Sequence, residues 1–433
     1  MSQHYDLIVI GAGPAGYECA AIGANDGLKT LLVERDHLGG TCLNRGCIPT
    51  KTLCRSAQVA ADVAHAAAYG IDTDGGWRAD MAAIIERKNH IVAQLREAVD
   101  MVTVKCEKIF GTARITGPDS VEVDGQPFTA SRIVVATGSE PASLPIPGAG
   151  LCVDSDTLLD TTTLPDSMVV IGGGVIGLEF ASIFNALGTK VTLVEYAPEI
   201  LPAFDRDIAK RLRSLLKSAG IEIVTGACVT AVAKADDGSD LLTVDYEAKG
   251  KPRQATAATV LMAVGRRPLL PEGITRDMLT PESLQIPGTS IYAIGDCNGR
   301  CLLAHAASAQ AKAVMGKAVN PDVIPAAVFT MPEVATVGLT EQQCADKGLD
   351  FTVAKGTFRS NGKALAMGEA DGMIKVMLAP DRTLLGCHII GPHAADLIAE
   401  PALAMANGLT ADALMSTIHT HPTLCEAMIA TLR

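Results

Sequence analysis

The chain has 433 residues, 48% of them hydrophobic and only 3% aromatic, which is too much polypeptide for one ordinary core and predicts two to four domains. No stretch reaches the ~18 uninterrupted apolar residues that a membrane helix requires. The formal charge of −12 argues against a nucleic-acid surface, because phosphate binding rests on clustered Lys and Arg.

The first apolar run, Tyr5 to Ile10, comes almost at once and leads into glycines. No basic segment with a long apolar stretch and cleavage site precedes it, and no Arg-rich, acid-poor leader, so a cytoplasmic protein is expected. Leu7-Ile8-Val9-Ile10 predicts a strand, followed by Gly11, Gly13 and Gly16 in the pattern G-x-G-x-x-G. A small-residue helix, Tyr17 to Asn25, and a strand, Thr30 to Val33, follow and end on Glu34. The first glycine permits the tight strand-to-helix turn, the second lets a pyrophosphate approach the backbone, and the third lets helix and strand pack closely. The helix N-terminus offers unpaired N–H groups to phosphate, and the acid can accept from an adenosine ribose.

Next comes Gly39-Gly40-Thr41-Cys42-Leu43-Asn44-Arg45-Gly46-Cys47-Ile48-Pro49-Thr50-Lys51. In an ideal helix, residues five apart have Cα atoms about 8.6 Å apart, beyond the ~4.4–6.8 Å that a disulfide tolerates. A bridge between Cys42 and Cys47 therefore requires irregular backbone, which Gly46 and Pro49 favour. A zinc site is a poor reading, since no second C-x2-C or His pair lies nearby. Two unrelated buried thiols remain an alternative on this segment alone. Beside a nucleotide-binding unit, a dithiol points to thiol–disulfide exchange.

The nucleotide-binding design then recurs. Met168-Val169-Val170-Ile171 leads into Gly172, Gly174 and Gly177, a helix from Leu178 to Leu187, and a strand, Lys190 to Val194, ending on Glu195. Each acid lies equally far beyond the first glycine of its turn. A single G-x-G-x-x-G is weak; two with matched strand, helix and acid are strong. A carboxylate at Glu195 suits the free 2′-hydroxyl of NAD and repels the 2′-phosphate of NADP, and Tyr196 to Glu199 supply no Arg for that phosphate. NAD is the expected nucleotide.

The twelve cysteines do not form a secreted scaffold, which needs a short chain and an export signal. Cys19, Cys106, Cys152, Cys228, Cys344 and Cys387 are scattered, mostly among apolar or small residues, and are expected to be reduced, buried thiols.

Near the C-terminus stands His419-Thr420-His421-Pro422-Thr423-Leu424-Cys425-Glu426. Two histidines at i, i+2 with Cys425 nearby suggest a metal site, but a fourth ligand is missing, and no metal is expected. Pro422 biases His421 toward extended backbone and suits the first helical position. Thr423 to Leu432 then reads as a helix that brings Glu426 about one turn from the histidine, where a carboxylate can fix the imidazole tautomer.

The segment GGTCLNRGCIPTK resembles the redox-active stretch of the flavoprotein disulfide reductases, in the wording of the dihydrolipoamide dehydrogenase branch. Ile133 to Ser139, Val264-Gly265-Arg266-Arg267-Pro268, Ile294-Gly295-Asp296 and Phe329 to Glu341 fall in that family's order, and the likeness runs over nearly the whole chain. The resemblance implies an α/β protein with two Rossmann-like dinucleotide-binding domains, for FAD and NAD, plus a C-terminal α+β dimerisation domain. It places an FAD-binding domain at 1–145, an NAD-binding domain at 146–265, a central domain completing the FAD site at 266–324 and an interface domain at 325–433.

The resemblance also implies roles. Cys42 exchanges with substrate, Cys47 faces the flavin, and His421, oriented by Glu426, is the base, reaching the disulfide of the other subunit of a homodimer. Gly11, Gly13, Gly16, Glu34, Thr137, Gly138, Asp296 and Ala304 belong to the FAD site, with Asp296 on the ribityl chain. Lys51 and Glu179 pair beside the flavin. Gly172, Gly174, Gly177, Glu195 and Gly265 belong to the NAD site. The implied reaction oxidises dihydrolipoamide carried by a lipoyl domain of a 2-oxo acid dehydrogenase complex or by a glycine cleavage carrier protein, and reduces NAD. A related disulfide or mercuric reductase and a non-catalytic nucleotide-binding component are the alternatives. The chain also departs from the family: 269–287 looks trimmed where a hairpin is expected, the tail is short, and Gln310-Ala311 replace Glu and Gly.

Overall fold

The computed structural model describes residues 3–433 except 75 and 237. The first sheet contains β1 (Gln3–Ile10), β2 (Thr30–Glu34), β3 (Glu107–Phe110), β4 (Ala113–Gly117), β5 (Ser120–Val123) and β6 (Gln126–Val135), in the order β3-β2-β1-β6-β5-β4. β1 pairs in parallel with β2 on one side and β6 on the other, so strand order reverses around it. In open α/β sheets ligands bind at such a reversal, beyond the carboxyl ends of the strands. Leu7, Ile8 and Val9 are fully buried, as a strand covered on both faces requires. The covering helices are α1 (Pro14–Asn25), α2 (Gly40–Arg45), α3 (Cys47–Ala64) and α4 (Met81–Val102).

After β7 (Ser139–Pro141), a second parallel sheet is built from β8 (Ser167–Ile171), β9 (Lys190–Glu195), β10 (Glu222–Thr225) and, after a meander of β11 (Ala227–Lys234), β12 (Leu242–Ala248) and β13 (Lys251–Ala257), β14 (Thr259–Met262). Its order is β10-β9-β8-β14. The helix Val175–Leu187 is mostly buried, because it packs on this sheet and also against α3 of the first unit.

The chain then returns to the first unit. β15 (Arg266–Pro268) pairs antiparallel with β7, and β16 (Ile291–Ala293) pairs in parallel with β6. Between them, the described residues from 269 to 290 carry one short 3-10 turn, Arg276–Met278, and no named strand. The C-terminal unit is a five-stranded antiparallel sheet of β17 (Ala326–Val328), β18 (Glu333–Gly338), β19 (Thr352–Thr357), β20 (Met373–Leu378) and β21 (Leu384–Gly391), in the order β17-β18-β21-β20-β19 and packed with short helices.

Two local expectations are corrected. The last helix is Glu426–Leu432, not Thr423 onward, so Pro422 stands before it and not at its first position. It begins late because Glu426 folds back: its carboxylate accepts the backbone N–H of Thr423 at 2.9 Å, and the residues between form a turn. Cys228 is exposed on β11, and Cys152 is only half-buried, whereas Cys19, Cys106, Cys344 and Cys387 are buried as expected. The strand Ala227–Lys234 has one face open to solvent, and alternation puts Cys228 on it.

Candidate active site

The redox segment folds as two helices. α2 ends at Arg45, Gly46 takes φ −144° and ψ −111°, and α3 begins at Cys47. The break is the irregularity that the five-residue spacing demands, and it lets the two thiols meet. Cys42 and Cys47 are both free thiols, half-buried, and the Cys42 thiol donates to the Cys47 sulfur. That hydrogen bond brings Cys47 down to about 7, against burial, with help from the Lys51 ammonium and its own backbone N–H. Cys42 moves the other way: donating to Cys47 raises it, as do burial and repulsion from the Cys47 thiolate. The first residue of an 18-residue helix is also where exposed N–H groups favour a thiolate.

Lys51 lies one turn along α3 from Cys47. Its Nζ is 2.9 Å from both oxygens of Glu179, in the helix Val175–Leu187, and 4.4 Å from the centroid of Phe329. Glu179 also accepts the backbone N–H of Phe329 at 3.0 Å.

These groups border a cavity of about 1090 Å³ whose walls include Gly11, Gly13, Glu34, Cys42, Cys47, Lys51, Thr137, Gly138, Glu179, Asp296 and Ala304. Gly16 is not in the wall. It packs α1 on β1, where a Cβ would strike the carbonyl oxygen of Gly11. Gly11 itself has φ +98°, a value that favours glycine. Glu34 accepts the N–H of Ala12 at 2.7 Å and of Asp36 at 2.9 Å, which fixes its carboxylate at the end of β2. Burial raises the proton affinity of Glu34 despite these bonds.

Elsewhere in the wall, Asp296 Oδ2 accepts from the Ser139 hydroxyl at 2.6 Å. Arg266 donates to that hydroxyl at 2.8 Å and to the Ser139 carbonyl at 2.7 Å. Ser139 and Arg266 sit inside motifs quoted above, yet nothing in the sequence marks them as supports of Asp296; they meet because β7 pairs with β15. The Thr137 hydroxyl donates to the Leu269 carbonyl at 2.5 Å. Gln310 accepts from the backbone N–H of Gly295 and from Asn298, both at 2.8 Å. A carboxamide serves there, and Ala311 is fully buried beside it. A cleft lined by a glycine turn at a helix N-terminus, the Glu34 carboxylate and the Cys42–Cys47 thiols fits FAD.

The second unit repeats the turn. Gly172 has φ +109°, and a Cβ on Gly177 would strike the Gly172 carbonyl. Glu195 is bound by the N–H of Gly173 and, at 2.5 Å, by that of Ala197. Gly174 precedes the helix Val175–Leu187 as its N-cap, and Gly265 closes the unit in a left-handed conformation at φ +114°. This arrangement fits NAD.

His421 Nδ1 is 2.9 Å from Glu426 Oε1. The hydrogen bonds from Thr423 N–H and His421 hold the Glu426 carboxyl below its usual range. The ionised carboxylate accepts from Nδ1–H, and Nε2 has no partner among the described residues. The His421 side chain is 80% exposed, and neither it nor Glu426 lines the cleft of its own chain. His419 instead bonds Glu400, a residue the sequence did not single out. Among the described residues no cluster of His, Cys, Asp and Glu is suited to a metal ion, and no helix is long and apolar enough to cross a membrane.

The chain belongs to the pyridine nucleotide-disulphide oxidoreductases: residues 5–311 match the model of that family, and residues 324–431 match that of its dimerisation domain. It is 36% identical over 453 residues to a dihydrolipoyl dehydrogenase of Mycoplasma pneumoniae, covering 99% of this chain and 97% of that one. It is 37% identical over 467 residues to the Bacillus subtilis enzyme of the same name (99% and 97%), and 38% over 445 residues to that of Geobacillus stearothermophilus (97% and 94%). Among solved structures, the HOCl-induced flavoprotein disulfide reductase RclA from Escherichia coli superposes with a TM-score of 0.85 at 27% identity, covering 99% of each chain.

Proposed function

We propose that this chain is a dihydrolipoyl dehydrogenase, oxidising a dihydrolipoyl group carried on another protein and reducing NAD. The observation that carries the reading is the Cys42–Cys47 pair, two free thiols in the wall of the cleft with Cys47 opening a helix. The full-length likeness to enzymes of that name supports it. His421 and Glu426 act on the cleft of a second copy in a homodimer. Their exposure, their absence from their own cleft and the match to a dimerisation domain support this.

The chain's own residues do the following. His421 Nε2 removes a proton from one substrate thiol, and Glu426 stabilises the imidazolium formed. The substrate thiolate attacks the Cys42 sulfur of the oxidised pair, the S–S bond breaks, and Cys47 leaves as a thiolate stabilised by Lys51 and the helix N-terminus. The second substrate thiol attacks its mixed-disulfide neighbour and its proton passes to the departing Cys42 sulfur, so the substrate closes to a disulfide and Cys42 is released as a thiol. FAD, held by Gly11, Gly13, Glu34 and Asp296, supplies when bound the two-electron connection between the reduced pair and NAD. Lys51 and Glu179 position its neighbourhood, and Gly172, Gly174 and Glu195 bind NAD. Residues 1–145 and 266–324 jointly build the FAD site, 146–265 the NAD site and 325–433 the interface; the place of β16 beside β6 supports that division. The lipoyl group arrives on a 2-oxo acid dehydrogenase complex or a glycine cleavage carrier, in the cytoplasm.

The test is a steady-state panel on the flavin-loaded protein: dihydrolipoamide with NAD, glutathione disulfide with NADPH, and mercuric ion with NADPH. NADH formation in the first arm alone is expected. Activity confined to another arm, or none with flavin bound, overturns the reading.

A further inference from the structure

Beside the His421–Glu426 pair lies a second histidine–glutamate pair with a different character. His419 Nε2 is 2.7 Å from Glu400 Oε1, and His419 Nδ1 is 2.9 Å from the carbonyl oxygen of Thr417. A backbone carbonyl can only accept, and a carboxylate accepts, so both ring nitrogens carry hydrogen and His419 is an imidazolium. His421 has one such partner, and its other nitrogen has none among the described residues. The side chains also differ in access: His419 is 13% exposed and His421 80%. One ring is enclosed and fixed, and the other is presented. Glu400 lies in the helix Ala399–Ala406, so the pair ties the loop carrying His421 to that helix.

We propose that His419, paired with Glu400, is a positioning residue: it pins the 417–425 loop and offsets the Glu400 carboxylate, whose uncompensated charge would draw a proton onto the base His421. This rests on the reading of His421 as the base. An unpaired carboxylate favours the charged form of a nearby imidazole, and the His419 imidazolium cancels that field. The ionisable groups around His419 are Glu400 from its helix, Glu426 from the last helix, His421 in the same loop and the thiol of Cys425 near Glu400. In the homodimer, Cys42 and Cys47 of the second copy join them. The hydrogen bond to Glu400 raises the proton affinity of His419, which agrees with the geometry, and His419 in turn helps to hold Glu426 ionised.

The experiment is the pH profile of kcat/KM for dihydrolipoamide oxidation in the flavin-loaded wild type, His419→Gln, and His419→Gln with Glu400→Gln. The single variant leaves Glu400 as an unbalanced negative charge. Its acid limb is expected to move to higher pH by on the order of half a unit, and the double variant should recover most of that shift. A second measurement is 15N NMR of histidine-labelled protein, with His419→Gln for assignment: both His419 nitrogens are expected to remain protonated at pH 8. If the wild type is active and the acid limb of His419→Gln is unmoved, or if His419 loses a proton below pH 7, the proposal is wrong. An inactive wild type with flavin bound instead defeats the reading of the reaction, and the NMR result still decides the charge of His419.

Discussion

Lys51 Nζ is 2.9 Å from both carboxylate oxygens of Glu179, and Glu179 accepts the backbone N–H of Phe329 at 3.0 Å. One ion pair therefore joins the redox helix, the helix of the second nucleotide unit and the entry to the C-terminal sheet.

Because Lys51 helps to stabilise the Cys47 thiolate, Lys51→Met is expected to raise the pH midpoint of Cys47 alkylation by iodoacetamide. The comparison is best made in reduced protein on a Cys42→Ser background, where only one of the pair reacts. An unchanged midpoint would show that the lysine acts elsewhere.

His421→Gln is expected to cost ~10²–10⁴ in turnover with dihydrolipoamide, the usual range for loss of a general base. Glu426→Gln should cost less, because the imidazole survives without its tautomer fixed. Flavin content and melting temperature, measured beside the rates, should stay near wild type. A variant of His421 that retains full turnover would remove it from the mechanism.

The two glycine turns separate the two nucleotide sites. A Cβ at Gly16 or Gly177 strikes the carbonyl of Gly11 or Gly172 in its own unit. Gly16→Ala is expected to be purified with little bound flavin. Gly177→Ala should keep its flavin absorbance and its reduction by dihydrolipoamide, yet fail to form NADH. Loss of flavin in both variants would mean that the units do not act independently.

A buried charge cluster ties the second unit to the C-terminal sheet. Lys375 Nζ, 2% exposed, lies 2.9 Å from Asp205 and Asp207 and 2.6 Å from Glu341. Lys375→Met strands the buried Asp205 carboxylate and is expected to cost ~3–5 kcal/mol in urea unfolding. Hydrogen bonds from Lys355 and Lys375 hold Asp207 down to about 2. A depressed carboxylate stabilises fully above the ordinary aspartate range, and that contribution is lost as pH falls through about 2. The acid sensitivity of unfolding over that window should therefore weaken in Lys375→Met.

Glu195→Ala is expected to narrow the preference for NAD over NADP, since the carboxylate that repels a 2′-phosphate is gone. The ratio of kcat/KM for the two nucleotides measures it. An unaltered ratio would place the discrimination on another residue.

Much of this protein was legible in its sequence because the informative features are local. A strand, a glycine turn, a small-residue helix and an acid follow one another within a few tens of residues, and hydrophobic periodicity together with glycine's freedom at positive φ suffice to read them. The Cys42–Cys47 spacing likewise required a backbone break, and Gly46 provides it. What only the tertiary structure decided are contacts between residues far apart in the chain. Ser139 and Arg266 brace Asp296 because β7 and β15 pair; Glu400 meets His419 because two short helices fold onto one sheet; Glu426 turns back on Thr423 and delays its helix. No periodicity reports such partners, since they are set by how the packed layers bring distant side chains together. The sequence by itself determined the two nucleotide-binding units and the thiol pair, whose physics is local, and packing decided which charges steady them.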